Sequence, residues 1–280
     1  MPSKHYPVQR LMSVSQPQPA ANIMRIDTPK FLSQVNHRLY RQSRTYDVSV
    51  KIDANVADGT TVDVYALADT WYLKGALKLA KTAWDTANAE EIAMNGGKTA
   101  RWNDFRIIAD VTGSSSAQVS QFDWQTLNQR QFTTGEFVDS IVVDQAGVSR
   151  TFCIDAPSPA QYNIFEEYDE QSGTNTDPTV PSTGPYTGLL PNLETAAAAA
   201  ISDSGNNPPY SATGYGNGVW VKVGTLHLAA GRQRLSTGFF RAPLGAVVLT
   251  GVGPLGDVAD IQIEVKGGDY KGVMSHSMLE

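Results

Sequence analysis

The sequence predicts an all-β protein: an antiparallel β-sandwich with one inserted helix, preceded by an extended N-terminal arm. Three observations predict it. From residue 45 onward, apolar residues recur mostly at every second position, the period of a half-buried strand. One long segment only, 70–95, repeats its apolar residues at clear helical spacing. Residues 1–27 show no sustained period and carry Pro2, Pro7, Pro17 and Pro19.

Charge separates the same two parts. The first 45 residues hold seven basic side chains, Lys4, Arg10, Arg25, Lys30, Arg38, Arg41 and Arg44, against the single acid Asp27. This leader therefore carries +6 in a chain of net charge −6, leaving −12 for the rest. Such asymmetry suggests an end that meets a polyanion and a body that stays soluble. The expected organisation is an arm over 1–44 and a β domain over 45–280, with long loops at 171–218.

A chain of 280 residues is long enough to bury a core without cross-links. Its one cysteine, Cys153, allows no internal disulfide, and there is no Asn-x-Ser/Thr sequon. Both fit assembly in a reducing cell. The N-terminus lacks an apolar signal region, and no apolar run approaches the roughly 20 residues that span a bilayer. A soluble protein with no membrane span and no export signal is expected.

Thr28-Pro29 reads as an N-cap and first helical residue, and Phe31, Val35 and Leu39 follow at helical spacing, so a short helix closes the arm. In the opening strand Tyr46, Val48, Val50 and Ile52 alternate with Asp47, Ser49, Lys51 and Asp53, which assigns the first set to a core and the second to water. A second strand spans 61–68, and Asp58-Gly59 suggests a tight turn that makes the two neighbours. The long helix follows, capped by Asp69 or Thr70, with Leu73, Leu77, Ala80, Trp84 and Ala87 as its apolar stripe and Gly96-Gly97 at its end. Later strands are read at 105–111, 132–143, 149–154, 162–168, 219–228, 239–241, 246–250 and 261–265. Residues 171–192 are Gly, Ser, Thr, Asn and Pro-rich and read as a long surface loop, with a short alanine-rich helix over 194–202.

Eight antiparallel strands in two sheets make a jelly roll. With its basic arm, strands at 45–54 and 60–68, a helix leading to a strand near 102–111, and long later loops, the chain resembles the single jelly-roll capsid proteins of small icosahedral viruses over residues 28–266. The resemblance is one of order and composition. It implies one sheet of 45–54, 102–111, 162–168 and 261–265, and another of 60–68, 132–143, 149–154 and 219–228, with the first and last strands side by side. Material at 236–250 exceeds that pattern and would form an added hairpin or part of a second, compressed roll.

Motifs for chemistry fail on context. Gly251-Val252-Gly253-Pro254-Leu255-Gly256 spells a dinucleotide fingerprint, but a strand follows where a helix is needed. Gly97-Lys98-Thr99 leaves a helix instead of entering one, and Asp53, Asn55 and Asp58 are out of register for a calcium loop. His5, His37, His227 and His276 are scattered; His227 reads as packed or at an interface, and Cys153 as a buried thiol. The carboxylates Glu166, Glu167, Asp169 and Glu170 are candidates for calcium or for glycosidase chemistry, but on a strand they point to opposite faces and read as solvated. No catalytic residue, metal ligand or cofactor is assigned, and the chain is not read as an enzyme.

The resemblance implies a structural virion protein, assembled in the host cytoplasm into a homo-oligomeric shell, with packaged nucleic acid and minor capsid proteins as further partners. Contact with nucleic acid and exchange of the arm between subunits both suit the seven cations. The alternative is a β-sandwich carbohydrate-binding or carbohydrate-active protein using Trp71, Trp84, Trp102, Trp124 or Trp220 as stacking faces, although Trp71 and Trp84 fall on the helix and suit core or interface packing better.

Overall fold

Strand β3, Arg44–Val56, organises the molecule. Tyr46, Val48, Val50, Ile52, Ala54 and Val56 are all buried, so the alternation read from the sequence is the one that packs. The structure is a computed structural model and describes residues 7–15, 23–56, 59–97, 103–109, 139–144, 147–154, 161–172, 219–251 and 260–280. On one edge of β3 lies β12, Asp260–Val265, antiparallel with Ile261 opposite Ile52 and Ile263 opposite Val50, and β13, Ser275–Ser277, continues that edge. The other edge takes β9, Gly231–Ser236, and β10, Phe240–Pro243. β1, Leu11–Ser15, pairs outside β12.

The second sheet runs β2, Ile23–Asp27; β11, Ala246–Thr250; β4, Thr60–Leu67; β8, Trp220–Leu228, and every pairing is antiparallel. Between the two sheets Val48, Val50, Ile52, Ile261 and Ile263 meet Val62, Val64, Leu226, Val247 and Leu249. Each such fully buried side chain contributes about 1.5–3 kcal/mol of hydrophobic stabilisation. Chain crossing from one sheet to the other occurs in the β10–β11 turn, where Leu244 and Gly245 both have positive φ, the backbone that a tight two-residue hairpin turn requires. The material at 236–250 thus contributes to both sheets.

A second core lies beneath helix α2, Trp71–Met94. Thr70 caps it by accepting from the Leu73 N–H at 3.3 Å, and Gly96 and Gly97 follow its end with positive φ, both as predicted. Leu73, Ala76, Leu77 and Ala80 are buried against Phe105, Ile107, Phe152, Ile154 and Phe165. A small third sheet joins β5, Ile141–Val143, antiparallel to β6, Ser149–Cys153, which pairs in parallel with β7, Gln161–Asn163.

Several expectations change. The protein is mostly β with antiparallel main sheets; β3 and β12 are side by side and β4 and β8 share the second sheet as expected, but 103–109, β6 and 162–168 join neither main sheet. Residues 103–109 form no ladder and touch β6 by a single bridge, Ile108 to Cys153. Residues 164–172 are a helix, α3, because Ile164, Phe165 and Tyr168 share one helical face. Phe165 stacks on Tyr72 with centroids 5.0 Å apart, and the Tyr168 hydroxyl sits where a Cβ on Gly75 would come within 2.7 Å. β3 and β4 are not neighbours, since both edges of each are occupied by other strands. Ser49 is buried, its hydroxyl 3.2 Å from that of Ser236 on β9.

The described part of residues 1–44 is not a detached arm. β1 and β2 complete one edge of each main sheet, and Met12 and Ile26 are buried in the common core. Five-residue strands set among prolines carry too few alternations to register as periodicity. Helix α1, Thr28–Asn36, forms as expected, but its cap is Asp27, whose carboxylate accepts the Lys30 N–H at 3.0 Å. The expected strand over 132–138, the loop at 173–192 and the helix at 194–202 lie outside the described residues.

Candidate nucleic-acid interface

The six leader cations among the described residues separate into two groups. Lys4 lies outside the described residues. Arg10 is exposed beside the β12 end, its carbonyl accepting the Val265 N–H at 2.9 Å and its guanidinium covering Gly267. Arg25 lies in β2 opposite Val248, and Lys30 sits in the first turn of α1. Arg10, Arg25 and Lys30 are dispersed along the chain's first elements.

Arg38 and Arg41 lie in the short connection from α1 to β3, and Arg44 is the first residue of β3. His37 takes a left-handed conformation that ends α1 and turns the chain, with the Arg38 N–H donating to the Ser33 carbonyl at 3.2 Å. The connection is then tied down. Tyr40 is fully buried and donates its hydroxyl to the Lys271 carbonyl at 2.9 Å, while the Tyr46 hydroxyl donates to the Arg41 carbonyl at 2.6 Å. Gln42 bonds both the N–H and the carbonyl of Ile107.

The turn between β12 and β13 brings a fourth cation, Lys271, to the same place. Tyr270 packs edge-on against Tyr40 with centroids 6.1 Å apart. The Arg44 guanidinium lies 3.9 Å from the centre of the Tyr270 ring and donates to the Ser275 hydroxyl and carbonyl; the Lys271 ammonium lies 5.3 Å from the same ring and donates to the Leu39 carbonyl. Cation–π contact of this kind holds both side chains over the aromatic pair. Burial holds the Lys271 ammonium below the ordinary lysine range; Arg41, Arg38 and Arg44 push the same way and Asp104 opposes them. Asp104, whose Oδ1 lies 3.9 Å from Arg41 Nε, is itself held above the usual carboxylate range, chiefly by burial.

Lys271, Tyr40 and Tyr270 were not among the residues singled out from sequence, because the first two are separated by over two hundred positions and only the β3–β12 and β3–β13 pairings join them. The left-handed backbone of Lys271, with Gly272 also at positive φ, is a turn signal without a visible partner in the sequence.

The other candidates are placed differently from expectation. Glu166 and Glu167 are in the first turn of α3, not on a strand, and among the described residues no group of three or more His, Cys, Asp or Glu is arranged to hold a metal. His227 is exposed on β8, so it is not packed within this chain, and the bulge between Gly224 and Lys222 interrupts the alternation read from the sequence. Cys153 is buried. Trp84 packs on Phe105, whereas Trp71 is 73 % exposed and lies outside the core. Trp102 and Trp124 lie outside the described residues.

No protein-family model, no curated protein and no solved structure matches this chain. Among the described residues no helix is long and apolar enough to cross a membrane.

Proposed function

We propose that this chain is a structural virion protein, a major capsid protein that self-assembles into an icosahedral shell around a genome. The observation that carries the reading is the antiparallel pairing of β3 with β12, which brings the first and last long strands of the body together as a Greek-key sandwich requires. The pairing of β4 with β8 in the second sheet supports the same strand order. A gathered set of cations at the α1–β3 connection suits a protein that encloses a polyanion. In this reading the protein assembles in the host cytoplasm and its main partner is itself.

Sedimentation and negative-stain microscopy of the full chain test it. Closed particles of uniform size are the expected result; a monomer at every concentration and salt, with or without nucleic acid, removes the reading.

One observation favours a second reading, a carbohydrate-binding β-sandwich. Trp71 stands exposed at the start of α2 with Tyr72 and Tyr168 edge-on beside it, the form of a sugar-stacking platform. Retention of a monomer on a glycan column, lost in Trp71→Ala, would put this reading first.

A further inference from the structure

The Arg44 guanidinium and the Lys271 ammonium lie 3.9 and 5.3 Å from the centre of the Tyr270 ring, the Arg41 backbone N–H donates to the Tyr270 hydroxyl at 3.4 Å, and Arg38, Arg41 and Arg44 act on Lys271 against the carboxylate of Asp104. Like charges gathered in this way repel. The chain nevertheless fixes Lys271 in place: it adopts a left-handed backbone unusual for a residue with a Cβ, held by the Tyr40 hydroxyl on its carbonyl. Arg44 is held by Ser275 and Tyr270, while the Arg41 side chain is 62 % exposed and reaches Asp104 only at 3.9 Å. An anion seated here relieves the repulsion.

We propose that this face binds the sugar-phosphate backbone of single-stranded nucleic acid without reading its bases. Arg38, Arg41 and Lys271 supply the phosphate contacts, and Arg44 positions the Tyr270 turn. The cations converge from one tight connection and one tight turn, which suits a strand flexible enough to bring successive phosphates to a small area; a duplex holds its phosphates along a stiff rod. The choice of nucleic acid among polyanions rests on the genome-enclosing reading above.

The test is a titration of the full chain with a fluorescent 20-residue oligodeoxythymidine at several salt concentrations. Arg38→Gln/Arg41→Gln should weaken binding about ten-fold and flatten the dependence of log affinity on log salt by about 1.4, the contribution of two single-strand phosphate contacts. Arg41→Gln alone should cost about three-fold, and Arg41→Lys should restore most of it, since a point charge suffices for a phosphate. Lys78→Gln, on the exposed face of α2, should change nothing. Unchanged affinity and slope in the double variant overturn the proposal, as does inorganic phosphate displacing the oligonucleotide at equal phosphate concentration, or anionic vesicles binding as tightly as the oligonucleotide through the same arginines. Salt-dependent binding through these arginines by a protein that forms no particles supports the site and removes the shell reading. Particles formed by a protein without oligonucleotide affinity do the reverse.

Discussion

The carboxylate of Asp27 and the guanidinium of Arg106 form an ion pair in which each side chain is only 5 % exposed. The other oxygen of Asp27 caps helix α1. One residue therefore fastens the end of β2, the start of α1 and the irregular segment 103–109.

Breaking that pair should be costly, since either partner alone is left as a buried charge. Arg106→Met is expected to lower stability by about 3–5 kcal/mol, and Asp27→Asn/Arg106→Met together by distinctly less. Asn keeps the capping acceptor. Urea unfolding at neutral pH checks this, and a loss under about 1 kcal/mol for the single variant would show that the pair is not desolvated.

Val50→Asp should abolish soluble expression, because it places an unpaired charge at a fully buried position of β3 against a total stability of about 5–15 kcal/mol. Ser49→Asp should also be harmful, as Ser49 is buried against Ser236. Asn55→Asp is the mild control, being exposed and opposite Arg232 in register. Equal melting of the three variants would contradict the register of β3.

Deleting residues 1–27 should destabilise the protein and promote aggregation. The deletion removes β1 and β2, takes Met12 and Ile26 from the core, and bares the edges of β12 and β11 to other chains. Soluble yield and melting temperature report it. A truncated protein that melts with the full chain would mean that these strands contribute nothing.

Asp104 gives a pH dependence of defined sign. Its folded-state pKa is raised, mainly by burial, so the folded protein binds the proton more tightly than the unfolded chain does. Its contribution to stability is present at low pH and is lost as pH rises through the folded pKa. Asp104→Asn should therefore raise the melting temperature at pH 8 by a few degrees and by less at pH 4. A larger gain at pH 4 would reverse the assignment.

The parts legible in the sequence were those with enough repeats to carry a period. Tyr46, Val48, Val50 and Ile52 announce β3, and Leu73, Leu77 and Ala80 announce α2, because each set repeats three or four times on one face. The segment at 162–168 misled because Ile164, Phe165 and Tyr168 suit a short strand or a short helix until α2 is there to receive them. β1 and β2 were hidden by their brevity. Of the cation cluster, the three arginines were visible as charge and their convergence was not; Lys271 enters only through strand pairing.

The partners of β3 also govern when the protein can fold during its synthesis. Among the described residues, the four strands on its edges come from residues 231–277, and the N-terminal strands β1 and β2 pair with β12 and β11 in the same region. Until residues 231–277 leave the ribosome, Val48, Val50 and Ile52 lack their ladder partners, so β3 waits, with its apolar face unpaired, until synthesis has passed residue 231. A β topology of such long sequence separation closes slowly. Nascent chains of this protein are therefore exposed to chaperones for longer than those of a protein built from local hairpins, and a ribosome stalled before residue 246 releases a product with neither main sheet complete.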